Sequence, residues 1–257
     1  MSIRTITAAL TALALAFGVA PALADTNATP PGDPWGSGPG VGAGNPCKGN
    51  NGNLGRQGNA GDRTDTTPPP IDIPLPPVSG RAAFVTQIGD QNVAVVDQTA
   101  PNAYADVEQD GNGNEARVAQ KGEGTGYVET RQTGNTNVAT VGQDGAGQNV
   151  LYLTQTGNSN WASSGQTANG AIHNGAIMTQ TGNNNDMLLT QDGGDNRAVL
   201  TQDGNNNGMT ATQTGEGNRL IWTQQGSGLS DLGIVQGGAQ AMQITQTKMA
   251  PPPGQGK

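Results

Sequence analysis

The sequence predicts an all-β chain: a β-solenoid of about seven two-strand coils forming two facing parallel sheets, preceded by a disordered Pro/Gly-rich segment. Three observations carry this. Glutamines recur every 11 residues at Gln180, Gln191, Gln202, Gln213 and Gln224. Each of the four blocks between them has Gly two residues after the Gln and Asn five after it. Between that Asn and the next Gln, apolar residues occupy alternate positions, the period of a strand.

The register extends beyond this window. Glutamine also heads blocks at 87, 98, 109, 120, 132, 143, 155, 166, 236 and 246. Most blocks are 11 long; those at 120, 143 and 224 have 12, that at 166 has 14 and that at 236 has 10. Four of these five exceptions fall in every second block, so the unit is a pair of blocks with one arc that tolerates insertions. The pairs are 87–108, 109–131, 132–154, 155–179, 180–201, 202–223 and 224–245, and Gln246 opens an incomplete eighth.

In chain order, residues 1–24 read as a secretory signal. Arg4 gives the positive end, residues 8–19 are apolar, and Ala22-Leu23-Ala24 is a small-residue cleavage site, with a mature chain starting at Asp25. Residues 25–80 are rich in Pro, Gly and Asn and contain TPPPIDIPLPP. Such a stretch buries too little to offset its ordering entropy and is expected to be disordered or polyproline-like, an export or tethering tail or a plain linker. Within it, Trp35 and Cys47 form no site at their spacing. The repeat domain is placed at 81–249 and a C-terminal tail at 250–257. No stretch after the signal is long and apolar enough for a membrane span.

Composition excludes several classes. Aromatics are 3% and hydrophobics 33%, against 41 Gly and 16 Pro, too little apolar surface for a thick core. The net charge of −8, with no basic run, argues against nucleic acid and anionic membranes. A single cysteine rules out an intramolecular disulfide framework.

Each block reads as a short strand and a tight turn. One strand face runs Asn, apolar, apolar, Gln, as in Asn196, Ala198, Leu200, Gln202. The other face is polar or variable, with Arg197, Thr201, Arg219 and Thr223. The turns fall at Gly89, Gly111, Gly134, Gly157, Gly182, Gly193, Gly204 and Gly215, where positive φ costs little. Buried amides are costly when unpaired. In a stack each can donate to its copy in the next coil, so the column satisfies itself. The expected ladder comprises Gln87, Gln109, Gln132, Gln155, Gln180, Gln202 and Gln224 on one arc. The other arc carries Gln98, Gln120, Gln143, Gln166, Gln191, Gln213 and Gln236. Asparagines join them at Asn92, Asn114, Asn137, Asn160, Asn185 and Asn207, and at Asn196 and Asn218. Alanine would fit the space and lose the ladder; glutamate would stack like charges.

The pattern Q-x-G-x-x-N-x-A-x-x-x-Q resembles the curlin repeat of curli amyloid fibre subunits. It stands as QIGDQNVAVVDQ (87–98), QDGNGNEARVAQ (109–120), QTGNTNVATVGQ (132–143), QTGNSNWASSGQ (155–166) and QDGGDNRAVLTQ (191–202). The resemblance implies a secreted subunit that stacks end to end into extracellular amyloid for biofilm matrix and adhesion. It also implies copies of itself, a related curlin subunit and an outer-membrane export pore as partners. The chain departs from the pattern at Ala100 and Ala168, which replace the turn glycine, and in blocks 120, 224 and 236, which lack the Asn.

The pairing sets Glu108 beside Arg131 of the next coil, an attractive contact at strand spacing. It also aligns Thr154, Thr179, Thr201, Thr223 and Thr245, three of which begin Thr-x-Thr. A flat threonine array on a monomeric solenoid is the alternative reading, an ice- or surface-binding face, although Thr favours outward strand positions in any case. Enzyme chemistry has little support, and no cofactor or metal is expected. His173, the single histidine, sits in the 14-residue block as an outward loop residue, and Ser163 and Ser164 have no partnered base. Asp192, Asp195 and Asp203 lie near glycines without the nonapeptide spacing of calcium-binding β-rolls. Trp222 falls on the inward face, where a thin core leaves little room.

Overall fold

The computed structural model describes residues 70–248, so the signal, Ala24, Asp25, Trp35, Cys47 and the C-terminal tail lie outside the described residues. Among these there are fifteen strands and no helix. The first sheet holds β1 (Arg81–Ile88), β3 (Asn102–Asp110), β5 (Thr125–Thr133), β7 (Gln148–Thr156), β9 (Asn174–Thr181), β11 (Arg197–Asp203), β13 (Arg219–Gln225) and β15 (Ala241–Thr247), in that spatial order. The second holds β2 (Val93–Gln98), β4 (Glu115–Gln120), β6 (Val138–Asp144), β8 (Trp161–Ala168), β10 (Asp186–Gly194), β12 (Gly208–Glu216) and β14 (Ile234–Gly237). Every pairing is parallel, and consecutive strands alternate between sheets. The molecule is therefore the two-arc β-solenoid that the block pairs predict, with seven coils and β15 beginning another.

Glutamine sets the register everywhere: Gln87 pairs with Gln109, Gln109 with Gln132, Gln202 with Gln224 and Gln213 with Gln236. Most insertions are absorbed in the turns that lead from the second sheet back to the first, as between β8 and β9. The opposite turns have one length up to β12, and the last, between β13 and β14, is longer. Each has a glycine with φ between +98° and +132° (Gly89, Gly111, Gly134, Gly157, Gly182, Gly204, Gly226). These glycines nest so closely that a Cβ on Gly134 would lie 2.0 Å from the Gly157 carbonyl oxygen. At Ala100 and Ala168 the chain turns without positive φ, which is how alanine is tolerated there.

The inward residues between the sheets form one buried cluster. It is small in the early coils (Ala105, Val107, Ala116, Val118) and larger later (Leu153, Met178, Leu189, Leu200). Trp222 is fully buried in it, and its indole Nε1 donates to Gln246 Oε1 at 2.9 Å. A ladder amide thus satisfies its one polar atom, and small Ala211 belongs to the same cluster.

Two sequence expectations change. Residues 70–79 form no strand, yet they are not free of the domain: Ile73 is fully buried. Its side chain packs over Gly175 of β9, where a Cβ would come within 3.1 Å of it. Gly80, at the head of β1, donates to Asn102 Oδ1. From Gly80 to Ile73 the chain crosses four strand spacings, ~19 Å. Seven residues at a polyproline rise reach ~22 Å. The prolines therefore give a straight strap across the outer face, and one apolar anchor fixes its end. The second change is His173, which is not simply an outward loop residue: it lies against this strap, with Nε2 2.7 Å from the Ile73 carbonyl oxygen.

Candidate functional site

The amides build two continuous glutamine ladders. On the first sheet each Nε2 donates to the next Oε1, from Gln87 through Gln109, Gln132, Gln155, Gln180, Gln202 and Gln224 to Gln246, over 2.7–2.9 Å. On the second sheet Gln98, Gln120, Gln143, Gln166, Gln191, Gln213 and Gln236 do the same over 2.7–3.0 Å. Away from the end coils these side chains are buried. Each Nε2 has a second hydrogen, and from Gln98 to Gln236 it reaches across the interior to a backbone carbonyl of the facing sheet. Gln109 donates to Val93, Gln120 to Tyr104, Gln202 to Asp186 and Gln213 to Arg197. One residue type therefore joins coil to coil and sheet to sheet. The side chain must be a long amide, because two donors and one acceptor are all used.

Asparagine joins the expected amide-to-amide ladder, Asn137, Asn160 and Asn185 each donating Nδ2 to the Oδ1 of the preceding coil's asparagine at 3.1–3.2 Å, and it adds a clamp on the turn. Asn185 Oδ1 accepts the backbone N–H of Asn207, and its Nδ2 donates to the Gly204 carbonyl at 2.8 Å. Asn92, Asn114, Asn137, Asn160 and Asn207 make the same clamp onto the turn glycine of the next coil. On the other arc Asn196 donates to Gly215 and accepts from Asn218, both its N–H and its Nδ2. Asn174, not among the expected residues, takes the corresponding place over Gly193. These carbonyls are orphaned by the turn, so the short amide supplies what the strand ladder cannot.

A third column was not anticipated. Asn112, Asn135, Asn158, Asn183 and Asn205 stack along the turns between sheets, each Oδ1 accepting from the backbone N–H of the preceding coil. Their signal was present in the sequence, three residues after every first-arc Gln from Gln109 to Gln202, and becomes visible only when the two arcs are aligned separately.

Outside the sheets, charges play a small part. Arg131 meets Glu108 at 3.3 Å, as the coil pairing predicts, and both are exposed, so the pair contributes at most about 1 kcal/mol. Phe84, Tyr104, Tyr127 and Tyr152 form a row of neighbouring rings on the first sheet, with Tyr104 and Tyr127 in register and stacked at 4.9 Å. Burial, and then the Glu129 carboxylate beside it, hold the Tyr127 hydroxyl protonated well above its ordinary range.

The strap socket is the most enclosed charged cluster. Arg197 is 7% exposed, donates to the His173 carbonyl and pairs with Asp195 at 3.3 Å; Arg219 pairs with the same carboxylate at 2.8 Å. Burial lowers the pKa of both His173 and Arg197. Burial holds the imidazole below its ordinary 6.5 against the opposing pull of the Ile73 carbonyl, so His173 binds a proton more readily when the strap that covers it is undocked. Docking is thus at full strength above the ordinary pKa and weakens as pH falls through the depressed one. The protection of the Ile73 and Leu75 amides from hydrogen exchange, taken relative to the intrinsic rate at each pH, is expected to fall at acid pH in the native chain and to lose that fall in His173→Gln. Protection that holds unchanged into acid pH in the native chain would contradict the coupling.

Stacked two-strand coils joined by buried side-chain amides, with open strands at both ends of the described residues, define a structural repeat protein. Residues 82–111 and 182–215 match the curlin associated repeat, so the chain carries that repeat at two places. The register continues unbroken through the coils between the two matched stretches. No curated protein and no solved structure shows significant similarity to the chain.

Proposed function

We propose that this protein is a secreted structural subunit, not an enzyme, that polymerises end to end into extracellular curli-like fibres for biofilm matrix and adhesion. The observation that carries this is that, among the described residues, both ends of the amide-laddered column are open. At one end β1 and β2, and at the other β14 and β15, each have a strand neighbour on one side only. Inward residues that are buried mid-column are only partly covered here: Ala94 and Val96 at one end, Ile234, Met242 and Ile244 at the other. Most β proteins blunt such edges. Here the edge that a new copy meets matches the one it brings. Its partners are other copies of the chain, with a related curlin subunit and an outer-membrane export pore as further candidates. The signal segment and its cut between Ala24 and Asp25 belong to the same proposal.

Growth of fibres from the purified mature chain, followed by dye binding and electron microscopy, tests it. The chain carries −8 at neutral pH with a sequence pI of about 4.4, so repulsion between copies fades as acid is added. Elongation is expected to accelerate as pH falls towards the pI; fastest growth at alkaline pH would contradict this.

The threonine alternative has one observation in its favour. Thr154, Thr179, Thr201, Thr223 and Thr245 are in register on the outer face of the first sheet. The second row such an array needs is broken, because Asp203 and Gln225 stand in line with Thr181 and Thr247. A recrystallisation assay on soluble protein separates the two readings.

A further inference from the structure

The column has an odd number of strands, eight in the first sheet and seven in the second. At its C-terminal end β15 therefore lies one layer beyond β14, with no strand beside it in the facing sheet among the described residues. A second copy can be laid on this end in two orientations. If it keeps the orientation of the first, its β1 falls on β15, but its β2 lands two layers above β14. One strand is then missing from the second sheet, and the facing edges stand ~10 Å apart. Their backbone donors and acceptors have no partner there. If the copy is turned by half a revolution about the column axis, its β1 falls on β14 and its β2 on β15. Both sheets then continue without a break. Strand direction is kept, because the two strands of a coil run oppositely around the column.

The side chains agree with the second arrangement. Aligning glutamine columns places Gln87 of the incoming copy after Gln236, and Gln98 after Gln246. Every ladder bond runs from Nε2 of one coil to Oε1 of the next, so the C-terminal end offers donors. At the N-terminal end Gln87 and Gln98 use their Nε2 within the column and present Oε1 outward. The same alignment sets exposed Val85 over Ile234 and half-buried Val96 over Ile244.

Resting on the end-to-end reading above, we propose that successive copies are joined by a half-turn, each rotated by ~180° and raised by seven and a half coils, ~36 Å. The straps at Ile73 then alternate between opposite sides of the fibre.

Disulfide trapping tests this in mature chain carrying Cys47→Ser. The half-turn sets Thr86 of one copy beside Val235 of the next, within the Cα separation a disulfide spans; the unrotated stack sets Thr86 beside Thr245 instead. Within one copy both pairs lie at opposite ends of the column. Polymers of Thr86→Cys/Val235→Cys are expected to give covalent ladders after oxidation and denaturation, while Thr86→Cys/Thr245→Cys polymers give background only. The reverse pattern, equal trapping of both pairs, or polymers in which neither pair traps, each overturns the half-turn while leaving polymerisation intact. A Cys47→Ser chain that never polymerises sinks the end-to-end reading itself, and the half-turn with it.

Discussion

Gly157→Ala is expected to destroy the central coils, costing more than about 4 kcal/mol. Gly157 has φ +118°, a backbone region that residues with a Cβ rarely adopt. The added carbon would lie 1.9 Å from the Gly182 carbonyl oxygen and 2.8 Å from its carbonyl carbon. Both are backbone atoms held by the ladder: Gly182 donates to Thr156, and Asn160 donates to the Gly182 carbonyl at 2.8 Å. Relief requires parting the coils at that turn. Gly165 provides the control a few residues away. It has no positive φ, and an added Cβ meets nothing within 4 Å. Gly165→Ala is expected to leave stability within about 1 kcal/mol of native, because alanine restricts the unfolded chain more than glycine does. Denaturant unfolding with fibre-growth rates measures both; equal midpoints for the two variants would refute the nested-turn account.

The second large effect is expected at Gln202, fully buried in mid-column. Its Nε2 donates to Gln224 Oε1 at 2.9 Å and to the Asp186 carbonyl at 3.0 Å, and its Oε1 accepts from Gln180 at 2.9 Å. Alanine removes all three bonds. The Gln180 donor and the Gln224 acceptor then face a void, at about 1–3 kcal/mol for each unsatisfied group. The space itself adds to the loss. Gln202→Ala is therefore expected to cost about 3–5 kcal/mol and to slow fibre growth, and Gln202→Ala with Gln213→Ala to slow it further. Thr201→Ala, one residue away on the outward face, is expected to change stability by less than about 0.5 kcal/mol. Native dye-binding kinetics in the Gln202 and Gln213 variants would count against the ladder as the source of assembly.

The fold was legible because a solenoid is local in its sequence. One coil contacts only its neighbours, so the 11-residue beat of Gln180 to Gln224 states the register directly. Alternating block lengths separated the two sheets before any coordinates. The contacts that escaped depend on more than one column. That Gln109 also reaches Val93 depends on the distance between the sheets, which no period encodes. The Asn112 column is masked when both arcs are superposed, because only one arc carries it. Ile73 and His173 are 100 residues apart, one before the repeats and the other in the lengthened block at 166, so nothing periodic links them. The long insertion at 166–179 and the Pro-rich stretch were each visible alone. Their joining at Gly175 follows from three-dimensional packing only. Alternation alone puts Trp222 on the inner face and the glutamine register includes Gln246, but the bond between indole and ladder amide depends on the packing of the last coil.

X-ray diffraction from aligned fibres of the mature chain is the most direct test of the account. Coils stacked along the axis predict a sharp reflection at ~4.8 Å on the fibre axis and a broader one at ~10 Å across it, from the strand and sheet spacings. A ~4.8 Å reflection lying across the axis, or a concentrated solution that yields no fibres at all, would contradict it.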